Sequence, residues 1–395
     1  DRLRLRLDAQ PDRDRFDLDV RAQGGADGVL AKMVGAHAPV ALTIDGAGRW
    51  SRWDGRAQGA IAGRRAIALR LAARSGRYAL SGDIAPSLLL RGRLQRLTAP
   101  RVVVAGQADF ADRRLNGALV LRSPALRVRA RGVVDLGAGA FEGLRVDASL
   151  LRPGALFLNM SGQTITLATR LNGAFGRAAF DYKLAATRFA FDRTGFEDAH
   201  ASGKGRLSGG WPWVLPVRFT ARAVTGVGEA AGGILHSLSV AGDLRITPHE
   251  ILGQGLALRS DKLAGKLNLR IDLTNGRYDV GLNGALQRYL IPGLGIVDVR
   301  STLTAVPGAD GHGTRVIGKG EAQVRRLDNA FLRSLAGGLP HLTTDLERGV
   351  DGVFHFHRLV LTGPDIRLIG EAIRRRDGTF HFVGGGRQRS YGPVQ

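Results

Sequence analysis

Hydrophobic and polar residues alternate along this chain with a period of two. The opening "RLRLRLD" sets Leu3, Leu5 and Leu7 against Arg2, Arg4 and Arg6, and "LRVRARG" sets Leu126, Val128 and Ala130 against Arg127, Arg129 and Arg131. Alternate residues of a strand fall on opposite faces, whereas a helix needs apolar positions three and four apart. Both stretches therefore predict half-wet strands, with an apolar row on one face and arginines on the other.

Turn signals divide the pattern into hairpins. In "LNLRIDLTNGRYDVGL" (267–282) a two-residue turn at Asn275-Gly276 would pair Leu273 with Tyr278, Ile271 with Val280 and Leu269 with Leu282, and would bring Asp272 to Asp279 on the outer face. A turn at Ser75-Gly76 would pair Leu71 with Leu80 and Ala73 with Tyr78. One at Asp377-Gly378 would pair Ile373 with Phe382. A loose repeat also runs along the chain. "LVLRSPALRVRARGVVDL" from Leu119, "LALRSDKLAGKLNLRIDL" from Leu256 and "LVLTGPDIRLIGEAI" from Leu359 each read as strand, turn, strand.

Two stretches break the alternation. "DGVLAKMVG" (27–35) predicts a short helix capped by Asp27 and ended by Gly35. "LDNAFLRSLAGG" (327–338) predicts one capped by Asp328, with Leu327 and Leu332 as a hydrophobic staple. Both read as plugs or elbows on a β body.

The predicted fold is all-β: an elongated, curled, antiparallel-rich sheet forming an open β-groove (a β-taco), with an apolar concave face and one or two short helices. The groove occupies 1–326, the helix or plug 327–338, and the groove continues over 339–395. A sheet with one apolar face must bury it. With ~25 strands at ~4.8 Å spacing the trough would run on the order of 120 Å. Its expected lining is Leu119, Leu121, Leu126 and Val128 in the first repeat, and Leu256, Leu258, Leu267, Leu269, Ile271, Leu273, Tyr278, Val280 and Leu282 in the second. In the third it is Leu359, Leu361, Ile366, Leu368, Phe380 and Phe382. Water is a poor occupant of such a wall. Acyl chains gain ~0.8 kcal/mol per buried CH₂, so a phospholipid with ~30 methylenes gains on the order of 20 kcal/mol, roughly what it loses on leaving a bilayer. Near-neutral transfer suits a conduit.

Composition changes this picture little. The chain holds 57 Lys plus Arg against 35 Asp plus Glu, a formal charge of +22, and six lysines leave 51 arginines. Such a surface attracts polyanions, but nucleic-acid binding would need the basic residues gathered on one patch with aromatics between them. Here they are spread from Arg2 to Arg389 and aromatics are 6 %. With 0 Cys, disulfides and thiolate metal sites are excluded, which suits an oxidising compartment. No apolar run approaches the ~18–20 residues of a membrane span. The chain opens inside a strand pattern without an initiator Met, so it is expected to be a processed or excised segment whose membrane anchor lies outside it.

Catalytic signals are weak. His355 and His357 in "FHFHR" share a strand face, without a third ligand in view, and read as a solvated face. "GLG" at 293–295 and "GHG" at 311–313 lack the strand–helix frame of a dinucleotide site. "GWPWVLP" places Trp211 and Trp213 at an edge strand or a lipid-contacting rim. No catalytic residue, metal or cofactor is expected.

"LALRSDKLAGKLNLRIDLTNGRYDVGLNGAL", "RYLIPGLGIVDVRS", "VRRLDNAFLRSLAGGLP" and "RRRDGTFHF" with "SYGPVQ" together resemble the TamB family, the translocation and assembly module subunits within the AsmA-like, bridge-like lipid-transfer group. The likeness is to an alphaproteobacterial member and is best from about residue 256 onward. It implies a periplasmic β-taco anchored in the inner membrane by an N-terminal helix. It also implies contact with the outer-membrane barrel TamA, phospholipid transport between the membranes, and support of outer-membrane protein assembly. A structural β-solenoid, or an adhesin or autotransporter passenger, is the alternative reading; a basic nucleic-acid-binding protein comes after it.

Overall fold

The alternation becomes strands almost everywhere it occurs. The computed structural model describes residues 1–226, 234–291, 295–310, 313–377 and 379–394. Strand accounts for 67 % of the chain and helix for 9 %, and 27 strands form one antiparallel sheet that does not close into a barrel. The all-β, antiparallel expectation is met. The chain divides into two compact units, one of residues 1–185 with 204–209, the other of 186–203 with 210–395.

In the first unit each strand from Arg2–Gln10 to Leu126–Asp135 pairs with the next in sequence. Ala140–Leu150 then pairs with Leu126–Asp135 on one side and Ile165–Ala174 on the other. In the second unit the same meander runs from Trp213–Ala221 through Leu238–Ile246 to Gly392–Val394. Connections in a meander alternate between two edges. In the first unit both α-helices fall on the same one of these edges.

Three short helices are described: α1 (Val29–Val34), α2 (Gly92–Thr98) and α3 (Ala330–Ala336). The two expected helices are present, but their caps move by one residue. Gly28 occupies the N-cap of α1, and the Leu30 amide donates instead to the Asp1 carboxylate at 3.0 Å. In α3 the N-cap is Asn329, whose Oδ1 accepts from the Leu332 amide at 3.0 Å. Asn and Asp cap about equally well, so the sequence did not separate them. Leu327 is nonetheless buried and Leu332 packs on its cluster with Val297 and Val324. The helix α2 has no counterpart in the sequence reading, because Arg91 stands at its N-cap and makes no side-chain cap bond.

The three repeats share one turn. Strands Arg114–Arg122 and Leu126–Asp135, Glu250–Arg259 and Leu263–Asp272, and Phe354–Thr362 and Ile366–Arg374 are each separated by three residues. Ser123 Oγ accepts from the Ala125 and Leu126 amides (3.2 and 2.9 Å) and donates to the Leu97 carbonyl of α2 at 2.6 Å. Ser260 Oγ accepts from the Lys262 and Leu263 amides (3.3 and 3.0 Å) and donates to the Ile234 carbonyl at 2.7 Å. In the third repeat the Asp365 amide donates to the Ala336 carbonyl of α3 at 3.2 Å. Each turn is therefore tied to the segment lying over it. Ser123 is 6 % exposed, so Ser123→Ala is expected to cost about 1–3 kcal/mol through unsatisfied buried groups, read as a lower midpoint in urea unfolding.

Hairpin registers were partly correct. Leu71 faces Leu80 and Ala73 faces Tyr78 across Ser75 and Gly76, which have φ of 46° and 83°. At 272–277 the register slips by two residues, so Ile271 faces Tyr278, Leu269 faces Val280 and Leu267 faces Leu282. The cause is Asp272. Its carboxylate accepts from the Thr274 amide and hydroxyl and from the Asn275 side chain, closing a larger loop. Those bonds, the Thr274 hydroxyl's first, hold the Asp272 carboxyl below its ordinary range. Leu273 leaves the strand, its amide donating to the His249 carbonyl, and Asp279 faces Arg270 and not Asp272. In the last hairpin Phe382 faces Ala372 and Ile373 faces His381, one residue from the expected register. Here the Arg375 amide bonds the Thr379 carbonyl across a three-residue loop. Gly378 of that turn lies outside the described residues, as do Gly293 and Leu294 of "GLG" and Gly311 and His312 of "GHG".

Candidate functional site

Cross-strand pairing arranges the apolar side chains in ladders. In the first unit one row passes through Leu5, Val20, Ile44, Ala57, Leu69, Gly82, Val104, Leu121, Val128, Ala148, Leu167 and Leu184. Twelve successive strand positions carry no polar side chain. In the second unit a row passes through Leu256, Leu267, Leu282, Leu303, Gly318, Leu346, Phe356, Ala372 and Phe382. A parallel row there joins Leu263, Leu286, Val299, Ala322, Leu342, Leu361 and Leu368.

The expected lining residues can be placed on these rows. Leu119, Leu121, Leu126 and Val128 share the apolar face of the first unit. In the second unit Leu256, Leu258, Leu267, Leu269, Ile271, Tyr278, Val280 and Leu282 share one face, and Leu359, Leu361, Ile366, Leu368, Phe380 and Phe382 share one face. Leu273, in the loop, is the one that leaves its ladder.

Bulges keep these ladders in phase, and sequence reasoning missed them; four share one form. The register shifts at Phe141/Leu144, Gly253/Leu256, Leu286/Tyr289 and Phe356/Leu359. Each shift carries a polar residue, a left-handed residue and then an apolar one: "EGL", "QGL", "QRY" and "HRL". The left-handed residues are Gly143, Gly255, Arg288 and Arg358, with φ of 58°, 61°, 50° and 48°. Their stray amides find side chains in three cases: Gly143 to Asn172 Oδ1 (3.0 Å), Gly255 to Asn268 Oδ1 (2.8 Å) and Arg288 to Asp298 Oδ1 (2.7 Å). The extra residues let the chain bend and return the next side chain to the apolar face. Leu256, just past one bulge, is 1 % exposed.

Close packing on this face also uses glycine. Trp53 lies across Gly46 and Gly55, where an added Cβ would meet its ring at 2.2 and 2.3 Å. The ring packs edge-on to Phe16 at 6.0 Å. Trp211 and Trp213 stack at 4.2 Å and stay exposed, at 50 % and 39 %, at a connecting edge.

The opposite face is charged, and part of its charge is paired between side chains. Arg77 meets Asp109 (3.0 Å), Arg222 meets Glu197 (2.6 Å), Arg270 meets Glu250 (3.2 Å) and Arg315 meets Glu347 (2.9 Å). Arg129 stands opposite Asp147. A cleft of about 980 Å³ opens on this face beside Arg6, Asp8, Arg15, Asp17 and Asp45. Within it Arg15 bonds Asp17 at 2.7 Å, which holds the Asp17 carboxyl below its usual range, and lies 3.5 Å from Asp8. His355 and His357 stack at 6.0 Å, and among the described residues no three His, Asp or Glu gather as a metal site. No described helix is long and apolar enough to cross a membrane.

The accessible surface is 23913 Å² for 42.1 kDa. A compact chain of that mass exposes about 15,000 Å². The excess fits ladders whose side chains are in large part only half-buried. No family model, curated protein or solved structure matches this chain.

Proposed function

We propose that the apolar face carries phospholipid acyl chains, and that the protein is a lipid conduit of the TamB type, working in the periplasm between inner and outer membrane. The observation that carries this is the uncharged ladder: twelve strands in succession place no polar side chain at one level of the sheet in the first unit. A row continuous in that sense lets a chain slide from strand to strand without meeting a charge, whose desolvation would cost several kcal/mol. On this reading the inner-membrane anchor lies in a region outside this sequence, the outer-membrane barrel TamA is the partner, and outer-membrane protein assembly is supported alongside lipid delivery.

Antiparallel pairing of sequence neighbours favours this over a β-solenoid passenger, which coils its strands in parallel. The even spread of the arginines from Arg2 to Arg389, with no basic patch interleaved with aromatics, disfavours a nucleic-acid interface. A photo-crosslinker at Ile271, which faces Tyr278 and Ile251, is expected to label co-purified phospholipid. The same group at Arg270, 70 % exposed and paired with Glu250, is expected not to. Equal labelling from both positions would overturn the assignment of the face.

A further inference from the structure

Along the strands from Leu238 to Gln388 the apolar face carries two charged side chains, Arg348 and Arg374. They lie in one cross-strand row, Val316–Arg348–Phe354–Arg374–Phe380, so that cation and ring alternate. The next row inward is Gly318–Leu346–Phe356–Ala372–Phe382, wholly apolar. The Arg348 guanidinium stands 5.8 Å from the Phe354 ring centroid. Its Nε is buried and has no hydrogen-bond partner. Neither arginine forms an ion pair among the described residues, although fourteen other arginines do. A third guanidinium is close: a Cβ on Gly352 would lie 3.1 Å from Arg376 Nε and 3.6 Å from Arg348 Nη2.

We propose that Arg348 and Arg374 seat the phosphodiester anion of a phospholipid headgroup, while its acyl chains lie along Leu346, Phe356 and Phe382. This rests on the lipid reading above and names the part of the lipid recognised. A buried guanidinium donor without an acceptor is costly, and an arriving anion removes that cost. Arg presents a planar fork that matches two phosphate oxygens, and the ring beside it shields the contact from water. Burial, and then Arg376, pull the Arg348 pKa down from its ordinary value, and the nearby Asp351 carboxylate offsets only part of that pull. Two residues of strand rise place the anion about 7 Å from the first apolar row, a distance that a glycerol backbone with its ester links can span.

The test uses the whole chain and three probes: dihexanoyl phosphatidylglycerol, dihexanoylglycerol with the same chains and no phosphate, and inorganic phosphate. The phosphatidylglycerol is expected to bind about tenfold more tightly than the glycerol, and R348Q/R374Q to erase that difference while leaving dihexanoylglycerol binding unchanged. Should the double variant not fold, R374Q alone is expected to reduce the preference about threefold. A variant that keeps the full preference overturns the headgroup seat and leaves the apolar face as proposed. A wild-type chain that binds neither lipid overturns both. Inorganic phosphate binding as tightly as phosphatidylglycerol, lost in the variant and not displaced by lipid, would identify a free-phosphate site and overturn the lipid assignment.

Discussion

Val128→Arg is expected to abolish lipid loading. Val128 sits at the middle of the first unit's ladder, between Leu121 and Ala148. A guanidinium there puts a charge and its water into the path of every chain that passes, a cost of several kcal/mol in a dry environment. Loading, measured as phospholipid retained in native mass spectra, should fall by more than about tenfold. The contrasting variant changes Arg127, Arg129 and Arg131 together to Gln. These project from the other face, where exposed charges are each worth under ~1 kcal/mol. That triple variant should fold and load as the wild type does. If it folds and loads nothing, the arginines meet headgroups and the faces have been assigned wrongly. If Val128→Arg folds and loads normally, the ladder is not the path.

Leu256→Ala should give the largest loss of stability. Leu256 is 1 % exposed, at the centre of a cluster with Val240, Leu258 and Leu263. Its two methyl groups fill the space left by Gly242 and Gly253, where an added Cβ would lie 2.7 Å from them. Removing them leaves a cavity that glycine neighbours cannot refill. A loss of about 2–5 kcal/mol follows, or roughly 5–15 °C in the melting temperature of the unit. Leu158→Ala is the control, since Leu158 is 80 % exposed and its truncation should move the midpoint little. Equal effects from the two would mean that the cluster is not where the second unit's stability resides.

Much of this was legible because period two is a strong signal. "LRVRARG" shows its two faces directly, and the structure places Leu126 and Val128 on one and Arg129 on the other. The Ser75-Gly76 turn was legible because the backbone alone specifies it. Errors arose where a side chain overrides the backbone. Asp272 captures the amide of Thr274 and moves the Asn275-Gly276 hairpin by two residues, which preserves the faces. At Asp377 the slip is one residue, which exchanges the facing of Ile373 relative to Phe382. The bulges were missed for a related reason. "QGL" and "HRL" each add a residue to the alternation, and an interrupted pattern looks like noise until its partner strand is known. The signal was present: a polar residue, then Gly or Arg, then a bulky apolar residue that restarts the period.

Because strands pair with their neighbours in sequence, contacts are local and repeat along each unit. Such a meander can change length by gaining or losing strands in its interior without disturbing distant contacts. The alternation of edges sets the allowed step. Inserting one strand would reverse the direction of everything after it and carry the later helices to the opposite edge. Inserting two restores both direction and edge. Natural variants of this chain should therefore differ in length by whole hairpins, about 20–30 residues at a time for strands of this size, and seldom by single strands.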